Sequence, residues 1–128
     1  MNRVRTLATA FCAVAATSLL ASAADAQRVS PMTAGNFGRI CSKPAGGQIC
    51  DAYITGMADA GALAKVNDRN EGDANAPAGF CIPQAETGVA MRGKVVAWLK
   101  GHQDALSKPV GEGVFMALHD SYPCGGAK

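Results

Sequence analysis

Beyond residue 30 the apolar positions recur at three- and four-residue spacing and nowhere alternate with polar ones for long, so the chain reads as helices joined by loops. Ser30 as N-cap and Pro31 at the first helical position open a short helix through Phe37 and Ile40 to Cys41, and "KPAGG" (Lys43 to Gly47) stops it. A second helix is expected from Gln48 to Lys65, with Ile49, Tyr53, Met57 and Ala60 on its apolar face and Ala52, Gly56 and Ala60 as a small-residue stripe. Gly56 and Gly61 inside it each cost about 1 kcal/mol relative to alanine, so packing must hold this helix. The polar stretch from Val66 to Gly79, rich in Asn, Asp and Gly, reads as a long solvated loop. Thr87 caps a third helix, Gly88 to His102, whose Met91, Val95, Trp98 and Leu99 share a face. Ser107, Lys108 and Pro109 start a fourth, with Val110, Val114, Leu118 and Tyr122 on one stripe, and Pro123 ends it. The expected fold is all-α, a small four-helix domain.

The first 26 residues differ in kind. Arg3 and Arg5 precede an apolar stretch from Leu7 to Leu20, and "ASAADAQ" supplies small residues, the pattern of a secretory signal peptide cut after Ala26 or, second, after Ala23. That leaves residues 27–128 as one exported domain, expected in the periplasm. The apolar stretch is short for a membrane span of about 20 residues, and no later segment is apolar enough. Cys12 lies inside the apolar stretch and departs with the signal, and no cysteine sits at the cleavage point, so no lipoprotein anchor to the membrane is expected. Cys41, Cys50, Cys81 and Cys124 remain, an even set in a small chain sent to an oxidising compartment, and they read as a disulfide framework. An up-and-down helix order gathers them at one pole. Sequence alone leaves the pairing open, with Cys41–Cys124 and Cys50–Cys81 favoured because they close longer loops.

The charge balance, formally +2, carries no basic block and gives no case for nucleic acid. Cys81 ahead of a helix with His102 or His119 elsewhere has the elements of a thiol dyad, but a free Cys81 would orphan another cysteine and nothing is placed to orient a histidine. The spacings of Cys41 to Cys50 and His102 to His119 are too wide for a zinc site. Asp68, Glu71 and Asp73 lack the alternating ligands and terminal bidentate Glu of a calcium loop, and "GEG" (Gly111 to Gly113) follows no strand. His102 reads as a helix-end residue, His119 as partly exposed on the fourth helix, and Trp98 and Phe115 as core. No catalytic, cofactor or metal set emerges, so the expected role is binding and not enzymatic.

The segments "CDAYITGMADA" (Cys50 to Ala60), "FCIP" (Phe80 to Pro83), "VVAWLKGH" (Val95 to His102) and "ALHDSYPC" (Ala117 to Cys124) resemble, in order and spacing, the type VI secretion amidase immunity family, the Tai or resistance-associated immunity proteins of Gram-negative bacteria. The resemblance runs from about Gly38 to Cys124. Gln103 departs from it, since relatives commonly carry Pro after the histidine. It implies a periplasmic helical protein, often a homodimer, that binds a delivered peptidoglycan amidase and blocks its cleft. It also implies that the four cysteines match the family's own, and that Tyr53, Gly56 and Asp59 are fold determinants of helix two. An inhibitor of this kind can insert a protruding loop into a groove. Asp68, Arg69, Asn70, Glu71 and Asp73 are the best local candidates, followed by the turn from His102 to Lys108. Two other functions compete: an acid-stress periplasmic chaperone that opens when its carboxylates protonate, and a general envelope interaction protein.

Overall fold

The computed structural model describes residues 29–75 and 78–125; the signal-peptide reading lies outside them. It contains α1 (Ala34–Cys41), α2 (Gly47–Asn70), α3 (Gly88–Gly101) and α4 (Val110–Ser121), with 3-10 turns at Pro44–Gly46 and Gln103–Ser107. Among the described residues there is no strand, only an isolated bridge between Thr33 and Pro109, and no helix is long and apolar enough to cross a membrane. The all-α four-helix architecture expected from the spacing is the one observed.

α3 is the central element, packing on α1, α2 and α4. Its start is where the sequence places it: Thr87 is extended and its hydroxyl accepts from the Ala90 N–H at 3.1 Å. Met91, Val95 and Leu99 face inward, and α4 answers with Val110, Val114, Leu118 and Tyr122, all buried. α1 and α4 approach closely because Gly113 has no side chain: a Cβ there would sit 2.5 Å from that of Ala34.

Three boundaries differ from expectation. α1 is capped by Thr33, whose hydroxyl accepts from Asn36 N–H, because the Ser30 hydroxyl is taken by Met32 N–H in the preceding turn. Pro109 caps α4 without entering it. α2 runs five residues past Lys65, to Asn70. Its stop is Gly72, the first glycine or proline after Gly61, at φ +94°. There the Gly72 N–H donates to Arg69 O and the Asp73 N–H to Asp68 O, closing a left-handed C-terminal cap that satisfies the last carbonyls. The polar residues 67–70 read as loop by composition, yet nothing in them breaks a helix.

The buried face of α2 is also rotated from the expected one. Cys50 and Ile54 are fully buried and Tyr53 and Met57 pack on the core, whereas Ile49 is 69% exposed and Ala60 is exposed. Both sides of this helix carry apolar residues, so periodicity alone leaves its phase open; the bond from Cys50 to Cys41 turns Cys50 inward.

The disulfides are Cys41–Cys50 and Cys81–Cys124, with Cα separations of 5.6 and 4.9 Å. This corrects the pairing of Cys41 with Cys124 and Cys50 with Cys81. Loop length raises what a bridge contributes, but proximity decides which bridge forms. The 3-10 turn at Pro44–Gly46 folds α2 straight back beside α1. The Cys81 N–H meanwhile donates to Tyr122 O at 2.8 Å, which holds Cys81 against the end of α4.

Candidate protein-binding site

The residues singled out in the sequence, Asp68, Arg69, Asn70, Glu71 and Asp73, form the tip of α2. Asp68, Arg69 and Asn70 are its last turn, not loop; Glu71 is the C-cap and Asp73 closes the terminal hydrogen-bond pair. All but Asp68 are exposed. Below the tip, Lys65 Nζ donates to Ala74 O and Asp73 Oδ1 accepts from Asn75 N–H, which fold the chain back on the helix end. The tip is built on an overhang. The buried residues of α2, Gly47, Cys50 and Ile54, lie in its first turns, and further along a Cβ on Gly61 would come within 2.7 Å of the Phe80 ring. Beyond it, Leu63 and Val66 are 67% and 44% exposed. The result is a capped helix end carrying Asp68, Glu71 and Asp73 against Arg69, displayed ahead of apolar side chains that the domain does not cover.

The second candidate, His102 to Lys108, forms a 3-10 turn that packs on α1 and α3. His102 stacks on Trp98 at 3.8 Å between centroids, and its Nδ1 donates to the Trp98 carbonyl at 2.7 Å. The Trp98 indole N–H donates to Asp120 Oδ2 at 2.8 Å, so the ring joins α3 to α4. Trp98 is thus partly buried against the core and not part of a ligand cage. Phe115 is 38% exposed, packed on Phe80 at 5.5 Å. His119 Nδ1 donates to Gly79 O at 2.5 Å and ties the returning segment to α4. Cys81 is bonded to Cys124, which removes the thiolate a dyad would need. Among the described residues no group of His, Cys, Asp and Glu is arranged to hold a metal ion.

Of the helix-two motif, Tyr53 does structural work: its ring lies 5.0 Å from that of Phe37, and burial raises its pKa above the ordinary 10.0. Gly56 and Asp59 do not, being exposed, with nothing within 4 Å of where a Gly56 side chain would begin. Sequence reasoning missed one polar cluster. Lys94 Nζ donates to Glu86 Oε2 at 3.2 Å and lies 4.0 Å above the Tyr122 ring, beside the Cys81–Cys124 bridge. The Lys94 hydrogen bond lowers the Glu86 pKa, that same bond raises the Lys94 pKa, and burial raises that of Tyr122.

These features define a small, disulfide-braced helical protein whose exposed surfaces suit contact and whose cysteines are committed to the fold. The chain belongs to the Rap1a immunity protein family: the model of Rap1a immunity proteins matches residues 33–124, from the cap of α1 to the last half-cystine. Membership makes it an immunity protein, with a protein effector as its partner. No curated protein and no solved structure matches it significantly.

Proposed function

We propose that this chain is a periplasmic immunity protein that binds a peptidoglycan amidase delivered by type VI secretion and occludes its cleft without catalysis of its own. The family match over residues 33–124 is the observation that carries the reading. Export is supported by the N-terminal pattern and by two disulfides, which persist in an oxidising compartment. The element offered to the cleft is the α2 tip. It is exposed, terminated by a hydrogen-bonded cap and acidic on balance. We also read the protein as a homodimer, in which exposed Ile49 and Leu63 of α2 are available for burial.

The test is a periplasmic pull-down with residues 27–128, followed by cell-wall hydrolysis assays on what is captured. A hydrolase inhibited at one-to-one stoichiometry is expected; capture of proteins without loss of hydrolysis contradicts the occlusion reading. Neutralising the tip as Asp68→Asn, Glu71→Gln and Asp73→Asn should weaken binding at least tenfold in a calorimetric titration while the thermal transition stays unchanged. Unchanged affinity removes the tip as the contact. Light scattering on the free protein reports the dimer.

A further inference from the structure

The face between α1 and α3 is left open by the packing. A groove of about 1100 Å³ lies there, and no residue of α2 lines it, so it is separate from the acidic tip. Ile40, Val96, Leu99 and Leu106 give it an apolar lining. Gly35 and Gly38 let α1 lie close over Leu106 and Leu99, since a Cβ on either would come within 3.4 Å of those residues. At its mouth Met32 and Ile40 are 39% and 37% exposed.

The charges around this apolar lining are all of one sign. Arg39, Lys43 and Lys100 line it, and no Asp or Glu does. The Arg39 guanidinium donates to the side chain of Asn36, which also lines the groove. Among the described residues none of these three cations makes an ion pair, whereas Arg92, Lys94 and Lys108 elsewhere are paired with Asp51, Glu86 and Glu112. Positive charge without an ion-pair partner among the described residues is therefore gathered at this apolar groove.

We infer that this groove docks an acidic amphipathic segment of a protein partner, an apolar ridge on the lining with flanking carboxylates against Arg39, Lys43 and Lys100. A small molecule fits less well, because the open side would leave wet a surface that small-ligand sites normally enclose. A helix lying along a groove buries one face and keeps the other in water. The complementary charges set orientation and partner choice more than affinity. The inference holds whichever enzyme the effector is.

The probe is a fluorescein-labelled helical peptide of about 15 residues, long enough to hold some helix in water, with a leucine ridge flanked by glutamates. A counterpart carries lysines at the glutamate positions. Fluorescence anisotropy with residues 27–128 should show binding of the acidic peptide and at least tenfold weaker binding of the basic one, falling with added salt. Backbone amide shifts should concentrate on α1 and α3. The triple variant Arg39→Glu, Lys43→Glu, Lys100→Glu changes only exposed side chains and should keep the wild-type melting curve. Exposed pairs each contribute a few-fold, so it should bind the acidic peptide at least tenfold more weakly. Equal binding of both peptides, undiminished binding by the triple variant, or shifts centred on α2 would overturn the inference. So would retention on phosphatidylglycerol vesicles without peptide binding, which would make the face a membrane surface. Neither peptide measurement uses an effector, so failure to capture a hydrolase bears on the proposed function alone.

Discussion

At the scale of single residues, the same chemical change has opposite consequences at two helical glycines. Gly113 sits where α4 presses on α1, and a methyl group there meets fully buried Ala34 at 2.5 Å. Overpacking of about 1–3 kcal/mol outweighs the propensity gain of about 1, so Gly113→Ala should lower the unfolding free energy by roughly 1 kcal/mol or more in urea titration. Gly93 lies mid-helix in α3 with nothing within 4 Å. There Gly93→Ala should add about 0.5–1 kcal/mol by the same measurement. Glu86 and Lys94 make the pH dependence specific. The Glu86 pKa is held below its ordinary 4.5, so its contribution is present above that value and is lost as pH falls through the lowered one. The Lys94 pKa is raised above 10.5, so its contribution is complete below 10.5 and is lost as pH rises through the raised value. In Glu86→Gln, thermal melts should therefore show a flatter decline in stability below about pH 4.5 than in the wild type; an unchanged acid profile would mean that the Glu86–Lys94 bond contributes nothing.

Among the elements, α2 is two helices in one respect: its first turns are pinned by the Cys41–Cys50 bridge and by Ile54, and its last turns overhang. Local opening follows buried contact. At a dilution where light scattering reports the monomer, amide exchange measured by NMR should therefore be much faster from Ala62 to Asn70 than from Cys50 to Met57, and equal protection there would mean that the last turns are as well packed as the first. This helix also shows what the sequence can reveal. α3 and α4 are legible because each starts at an unambiguous cap or proline, and in α4 the apolar residues gather on one face; α3 also carries apolar side chains off its buried face, with Val89 60% exposed. α2 has apolar residues all round, and its phase is set by a disulfide whose partner composition cannot name. Its end is set by Gly72, while the polar run from Asn67 to Asn70 imitates a loop. The site was legible in part. The tip residues are charged and lie in one run, but the α1–α3 groove joins residues from Pro31 to Leu106, and no local motif announces such a surface.

For the molecule as a whole, the two bridges act at different range. Cys81–Cys124 spans 43 positions and Cys41–Cys50 spans 9. The loop-closure model gives about 4 kcal/mol for the first and about 3 for the second. Chemical denaturation of Cys81→Ser/Cys124→Ser should thus show the larger loss, compared with Cys41→Ser/Cys50→Ser. Both bridges hold helix ends, and the second also fixes the segment that His119 and the Cys81 amide tie to α4. A core braced in this way resists opening as a whole, which suits an inhibitor better than a chaperone that must open. The most direct measurement of that account is a titration of the oxidised protein, residues 27–128, into the cell-wall hydrolase it captures, with peptidoglycan cleavage as the readout. Cleavage should fall linearly and stop at one equivalent. Cleavage that continues unchanged at a tenfold excess would contradict it.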